Sequence, residues 1–137
     1  MRTLKFTIDS DYNACGNVHQ EILDEVTRQG YDTESIYGIR LALMEALVNA
    51  AKHGNRLDTG KRIEVEAKIT PKRIVVTIED EGTGFDRKKV PDPTLAENLI
   101  KSHGRGILLI ESYMDKVRWS HGGRRLTMER KNGNAKE

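Results

Sequence analysis

The feature that most limits the possible folds is a pair of alternating apolar segments joined by a short turn. The first segment, Arg62–Ile69, places an apolar residue at every second position, and the second, Arg73–Glu79, does the same. Thr70-Pro71-Lys72 between them is typical of a turn. A period of two puts the apolar side chains on one face of a strand, so these segments predict an antiparallel hairpin with one buried face. Such a face must be covered by a second layer of structure.

The covering layer is predicted from helical patterns that precede the hairpin. Residues 13–29 and residues 32–54 carry apolar side chains at helical spacing. Ser10 or Asp11 can cap the first helix, and Gly30 can end it. Further strands are predicted from alternation at 3–8, 116–120 and 124–130. We therefore expect an α/β (α+β) two-layer sandwich, in which helices cover one face of a mixed, largely antiparallel sheet.

Composition indicates one folded domain without disulfides or membrane segments. We expect this domain to span residues 1–130 and a polar, disordered tail to span residues 131–137. A formal net charge of only +2 gives no reason to expect nucleic acid or an anionic membrane as a partner. The single cysteine, Cys15, excludes an internal disulfide, and no apolar run is long enough to span a membrane. We therefore expect a cytoplasmic protein.

A row of polar residues runs along the end of the second predicted helix. Glu45, Asn49 and His53 are four residues apart and share a face, with Lys52 beside them. Asn is a poor helix former, but its amide oxygen can complete the coordination of Mg²⁺ by phosphate oxygens. Glu45, one turn earlier, could accept a proton from an attacking hydroxyl. The alternative is an ordinary solvated helix face, and we interpret His53 as a structural residue at the helix end.

An acidic residue follows the hairpin and is itself followed by two glycines. Asp80 is in phase with the buried side chains of the second strand, and Gly82 and Gly84 come directly after it. A buried carboxylate must be satisfied by hydrogen bonds, which the amino group of a ligand can supply. Glycines would let a flat ring approach the backbone. The alternative is a plain turn in a domain unrelated to nucleotides.

A glycine-rich segment precedes the apolar residues 107–113, which we predict to be helical. Gly104-Arg105-Gly106 would leave backbone N–H groups free at the start of that helix, where they attract phosphate oxygens. Arg105 would add charge-assisted contacts. The alternative is an ordinary flexible loop.

Taken together, the three motifs resemble the ATP site of the GHKL superfamily, which includes gyrase, the heat-shock chaperones, histidine kinases and mismatch-repair ATPases. The motifs occur in the same order, as Asn49 in a helix, Asp80-x-Gly82-x-Gly84 after a strand, and Gly104-x-Gly106 before a helix. Within that superfamily, the sequence is most similar to the small bacterial serine/threonine kinases that act as anti-sigma factors. The resemblance extends from the first strand to Leu126-Thr127-Met128 and implies the Bergerat ATP-binding fold.

The resemblance implies a role in adenine binding for four residues. Asp80 would accept the amino group of adenine, and Thr127 on the last strand would support it. Gly82 and Gly84 would shape the adenine pocket.

It also implies roles at the phosphates. Asn49 would hold Mg²⁺, and Glu45 would be the general base toward a serine or threonine of a protein substrate. Residues 93–106 would form a lid over ATP, and Lys52 would also reach a phosphate. Three residues at the end of the lid would contact the phosphates: Gly104, Arg105 and Gly106.

The function implied is that of an ATP- and Mg²⁺-dependent protein kinase in a partner-switching system. It would phosphorylate a small antagonist protein, sequester a sigma factor in its other state, and form a homodimer. The alternative is a non-catalytic ATP-binding module that switches partners without phosphoryl transfer. The presence of Glu45 favours the kinase.

Overall fold

The predicted hairpin forms the middle of a five-stranded sheet with helices on one face. The computed structural model describes residues 1–58, 60–82 and 105–135. The elements in chain order are β1 (Arg2–Asp9), α1 (Tyr12–Arg28), α2 (Thr33–Val48), a π-helix (Asn49–Gly54), β2 (Arg62–Ile69), β3 (Arg73–Glu79), α3 (Arg105–Tyr113), β4 (Lys116–Ser120), a 3₁₀ turn (His121–Gly123) and β5 (Arg125–Lys131). This arrangement confirms the predicted fold class.

The strands follow the spatial order β1-β2-β3-β5-β4. A mixed sheet was expected, but all four pairings among the described strands are antiparallel. The alternation in β2 and β3 has the predicted result, because the apolar side chains at every second position are at most 3% exposed and face the helices, whereas Val75 lies on the other face and is half-buried. Burial of each such side chain stabilises the fold by roughly 1.5–3 kcal/mol.

The first helix begins and ends as the sequence predicts. The Asp11 side chain caps α1 by accepting the backbone N–H of Ala14 at 2.7 Å. Gly30 follows the helix with φ of +80°, a conformation that favours glycine. Within the part of the chain that the structure describes, no helix is both long enough and apolar enough to cross a bilayer.

The second helix changes its hydrogen-bond register where the polar row begins. The sequence predicts one helix to Gly54, whereas α2 ends at Val48 and a π-helix continues from Asn49 to Gly54. The N–H of Asn55 accordingly donates to the carbonyl of Ala50, five residues earlier, at 2.8 Å. Segments of π-helix are rare and are frequently found at functional sites.

The C-terminal segment is ordered where the sequence predicts a disordered tail. β5 continues through Lys131, and the next residue, Asn132, is buried. Its side chain donates to the carbonyl of Pro71 at 2.9 Å and accepts the N–H of Asp32 at 3.1 Å. The prediction of disorder is therefore wrong for residues 131–135, because these polar residues have buried hydrogen-bond partners far away in sequence.

Candidate functional site

A cleft opens between the helical layer and the ends of three strands. Its walls come from α2, the π-helix and α3 on one side, and from β3, β4 and the start of β5 on the other. The lining residues are Ala46, Asn49, Ala50, His53, Gly54, Ile78, Asp80, Ile107, Trp119, Gly123, Arg124 and Leu126. Two residues that the sequence offers as separate candidates, Asn49 and Asp80, therefore lie in the same cleft.

Asp80 is presented by the end of β3. Its N–H donates to the carbonyl of Arg124 at 3.0 Å, which extends the pairing of β3 with β5 by one residue. Its Oδ1 accepts the N–H of Gly82 at 2.8 Å. Burial raises the pKa of Asp80 above its usual range, although the positive charge of Arg124 acts in the opposite direction. A ligand N–H group at this carboxylate would replace solvation that burial removes.

Two glycines bring the backbone against this carboxylate. A Cβ atom at Gly54 would lie 2.3 Å from Oδ2 of Asp80, and one at Gly82 would lie 2.0 Å from the carbonyl oxygen of Gly54. Neither position has room for a side chain. The absence of side chains therefore places the turn after β3 directly against the end of the π-helix.

The first turn of α3 lies on the polar row of α2. A Cβ atom at Gly106 would lie 2.9 Å from Nδ2 of Asn49 and 3.0 Å from Oε2 of Glu45. Gly106 thus allows the N-terminus of α3 to approach both side chains. Backbone N–H groups at a helix N-terminus favour anions such as phosphate. A carboxylate, a side-chain amide and a helix N-terminus therefore occupy one region.

The residues present fit a Mg²⁺ ion that is shared with a nucleotide. Among the described residues, Nδ2 of Asn49 is buried without a hydrogen-bond partner, so it can donate to an acceptor such as a phosphate oxygen while the amide oxygen faces a metal ion. The amide of Asn49 and the carboxylate of Glu45 offer hard oxygen atoms, and Mg²⁺ is commonly held by one or two protein oxygens together with phosphates. No group of three or more His, Cys, Asp or Glu side chains in the described ranges could hold a metal ion.

Among the predicted site residues whose side chains the structure describes, Asn49 and Asp80 line the cleft, and Glu45, Gly82 and Gly106 lie at its border. The remaining two do not contribute to the lining. Lys52 is exposed on the π-helix and does not line the cleft. Thr127 pairs with Thr77 of β3, and it lies between Leu126 and Met128, whose side chains are buried against the helices. Because side chains alternate along a strand, Thr127 points to the opposite face of the sheet. The structure therefore corrects the expectation that Thr127 supports Asp80.

Several predicted site residues fall outside the described residues. Gly84, Gly104 and residues 93–103 of the expected lid lie outside the described residues. The backbone of Arg105 begins α3, but its side chain also lies outside what the structure describes.

The cleft includes residues that the sequence interpretation missed. Trp119, Arg124 and Leu126 contribute to the wall opposite Asn49, and His53 lines the cleft although it is interpreted above as a helix-end residue. β3 and β5 are neighbours in the sheet but not in sequence. No local pattern could therefore show that the start of β5 lies beside Asp80. The alternation around Leu126 was the one available signal.

The cleft thus combines an acid packed against two glycines with an asparagine of the π-helix. Residues 8–130 match the family described as the histidine kinase-like ATPase domain, and the chain belongs to this family.

Similar proteins narrow the comparison within that family. The chain is 30% identical over 122 residues to the serine-protein kinase RsbW of Listeria innocua, which covers 85% of this chain and 76% of that protein. It is 30% identical over 104 residues to RsbW of Bacillus subtilis, covering 71% of this chain and 65% of that protein. It is 33% identical over 87 residues to the anti-sigma F factor of Clostridium perfringens, covering 61% of each.

A solved structure has the same fold. The structure of the RsbU and RsbW domains of Rv1364c from Mycobacterium tuberculosis superimposes with a TM-score of 0.64 at 20% sequence identity. The match covers 96% of this chain and 32% of that longer chain. At this identity, the likeness shows the fold alone.

Proposed function

We propose that this chain is an ATP- and Mg²⁺-dependent serine/threonine protein kinase that acts as an anti-sigma factor. The observation that carries the proposal is that Glu45 and Asn49 belong to one polar row, beside the same cleft that Asp80 enters. A site that only bound a nucleotide would need the acid at position 80 and the amide at position 49. A carboxylate next to the amide adds a group that can take the proton of an attacking hydroxyl.

The adenine end of the nucleotide is assigned to the turn after β3. The carboxylate of Asp80 would accept a hydrogen bond from the exocyclic amino group, and Gly82 would let the turn pack against the π-helix, where Asp80 enters the cleft. Ile78, Leu126 and Trp119 supply apolar surface to the walls of this cleft. Apolar walls with one well-placed polar group are typical of sites that bind small organic ligands.

The phosphate end of the nucleotide is assigned to Glu45 and Asn49 of the polar row and to the first turn of α3. Asn49 would bind the metal ion through its amide oxygen, and Mg²⁺ when bound would neutralise charge on the phosphates. Glu45 would take the proton of the substrate hydroxyl as its oxygen bonds to the γ-phosphorus, while the bond to the departing ADP oxygen breaks. Gly106 keeps the N-terminus of α3 close to both groups.

The names of the relatives support the choice of partners. Several relatives are named serine-protein kinases and one is named an anti-sigma F factor. These names support a small antagonist protein as the phosphorylated substrate and a sigma factor as the sequestered partner. We further propose that the chain works in the cytoplasm as a homodimer, without direct contact with nucleic acid or membrane.

Loss of the general base tests the proposal most directly. We expect Glu45→Gln to lower transfer of the labelled γ-phosphate to the antagonist protein by about 10²–10⁴-fold, the range of general-base contributions. Binding of ATP should change by less than about threefold, because the side chain keeps its size and faces the phosphates, not adenine. Filter-based phosphotransfer and calorimetric ATP titration would measure these quantities.

Glu34→Gln is the matched control for this experiment. Glu34 lies in the first turn of α2 and is exposed, so the substitution makes the same charge change on the same helix, far from the cleft. Transfer should stay at the wild-type rate. If the wild-type protein binds ATP but transfers no phosphate to any candidate antagonist, the chain is a non-catalytic ATP-binding module instead.

A further inference from the structure

Asn55 forms a hydrogen bond to the turn that carries Asp80, and it does so without lining the cleft. Asn55 directly follows the π-helix and is 1% exposed. Its Oδ1 accepts the backbone N–H of Glu81 at 2.7 Å. Glu81 lies between Asp80 and Gly82, so this hydrogen bond acts on the backbone that joins the two residues assigned to adenine.

The orientation of the Asn55 amide is fixed by partners of opposite character. Its Nδ2 donates to the carbonyl of Arg62 at 2.9 Å and to Oγ of Ser10 at 2.7 Å. Ser10 is fully buried and donates its own hydroxyl to the carbonyl of Lys61 at 2.7 Å. Rotating the amide would place like atoms against each other and lose all of these bonds. The side chain of Asn55 therefore links the backbone of Glu81 by hydrogen bonds to Ser10, which follows β1, and to Arg62 at the start of β2.

The tolerance for movement of this turn is small. Asn55 is the residue after Gly54, whose carbonyl oxygen would lie 2.0 Å from a Cβ atom at Gly82. The same short segment thus presents a carbonyl to Gly82 and an amide oxygen to Glu81. A displacement of the turn toward the π-helix produces a clash. A displacement away from it breaks the bond to Glu81 and moves the carboxylate of Asp80.

We propose that Asn55 is a positioning residue for recognition of the nucleotide base. It holds Asp80 and Gly82 in the geometry that binds adenine, and it takes no part in phosphoryl transfer. This inference rests on the proposed function of the cleft. If Asn55 has this role, loss of its side chain weakens ATP binding, while the rate of phosphoryl transfer at saturating ATP is retained.

The test compares Asn55→Ala with Asn132→Ala in the full chain. Asn132 is also a buried asparagine, 6% exposed, whose side chain bonds to the backbone of Asp32, Gly30 and Pro71. It lies beyond the end of β5, whereas the cleft lies at the start of that strand. Three quantities are measured for each variant: the urea midpoint of unfolding, the Kd for ATP, and kcat for phosphotransfer at saturating ATP.

Both variants should unfold at a lower urea concentration, because each leaves buried backbone groups without partners. Only Asn55→Ala should raise the Kd for ATP, by about tenfold, with kcat unchanged within about twofold. Hydrogen exchange without nucleotide adds a structural readout. The amides of Glu81 and Gly82 should exchange faster in Asn55→Ala and at the wild-type rate in Asn132→Ala.

Equal values of Kd in the two variants would overturn the positioning role, and so would a loss of kcat with an unchanged Kd. A wild-type protein that binds no ATP is a separate result, which removes the proposed function together with this inference. If Asn55→Ala does not fold, Ser10→Ala replaces it, since this variant removes one acceptor of the Asn55 amide. A rise in Kd of about threefold is then expected, and a Kd equal to that of Asn132→Ala contradicts the inference.

Discussion

At each end of the sheet, the side chain of a buried asparagine links several segments by hydrogen bonds, but only one of these two asparagines lies beside the cleft. Asn55 joins the residue after β1 and the start of β2 to the turn after β3. Asn132 joins the end of β5 to the turn between β2 and β3 and to the start of α2. The local chemistry is the same at both ends. The difference must therefore come from the groups that each asparagine brings together.

The carboxyl groups near the two asparagines have opposite pKa shifts. Near Asn132, the Ser35 hydroxyl and then the N–H of Gly133 hold the pKa of Asp32 below its usual range. Near Asn55, burial raises the pKa of Asp80, and the buried Nδ2 of Asn49 has no hydrogen-bond partner among the described residues. Polar groups left in this state are the ones that a ligand can satisfy. This difference supports the proposal that the nucleotide binds at the end near Asn55.

The largest difference between the ends should come from adding one methyl group at a glycine. In Gly82→Ala, the new Cβ would lie 2.0 Å from the carbonyl oxygen of Gly54, so backbone must move and carry Asp80 with it. We expect the affinity for ATP to fall by about 100-fold, the upper range of overpacking costs. Calorimetric titration with ATP would measure the change.

Gly133→Ala is the corresponding change at the far end. Its Cβ would lie 2.7 Å from Oδ2 of Asp32, the end of a side chain that can rotate away. We expect a loss of about 1 kcal/mol in the free energy of unfolding and no change in ATP affinity. If Gly82→Ala bound ATP as tightly as Gly133→Ala does, the turn after β3 would not be part of the nucleotide site.

Much of the fold could be predicted because its elements are specified locally. The period of two in β2 and β3, the cap at Asp11 and the positive φ at Gly30 all follow from neighbouring residues. The order of residues 131–135 could not be predicted in this way. It depends on hydrogen bonds from Asn132 to residues about 60 to 100 positions earlier. A polar segment with distant partners has the same composition as a disordered tail.

The site could be predicted where a residue type is unusual for its predicted secondary structure. An asparagine within a helix and an aspartate in phase with a buried strand face both attract notice without a structure. Arg124 and Leu126 do not, because their relation to Asp80 arises only from the pairing of β3 with β5. The π-helix was also missed, since its register is set by how the segment packs and not by residue propensity.

The opposite pKa shifts of the two aspartates predict opposite effects of pH on stability. The pKa of Asp80 is raised in the folded state, so the carboxyl lowers stability as pH rises from the unfolded value through the folded one. The pKa of Asp32 is lowered, so its contribution is present above the unfolded pKa and is lost as pH falls through the folded value. At neutral pH, Asp80→Asn should therefore raise the Tm of the nucleotide-free protein, and Asp32→Asn should lower it.

Thermal unfolding of both variants and the wild type across the acidic range would test this contrast. The difference for Asp80→Asn should shrink toward zero as pH falls below the usual carboxyl range, where wild-type Asp80 is also neutral. The Asp32→Asn difference should likewise shrink at acidic pH, but from the opposite sign. A lower Tm for Asp80→Asn at neutral pH would mean that the Asp80 carboxylate is already well paired within the protein.

The smallest expected effect concerns β5, the strand that leads from one end to the other. Thr127→Ala should change the Kd for ATP by less than about twofold, because its side chain faces away from the helices and the cleft. Thr77→Ala, which alters its cross-strand neighbour on the same face, is the matched control and should behave alike. Titration of both variants with ATP is sufficient.

A marked loss of affinity in Thr127→Ala alone would require β5 to be shifted by one residue, since such a slip moves every side chain to the other face. It would also remove Leu126 from the cleft, so this small effect tests the register on which one wall of the site depends.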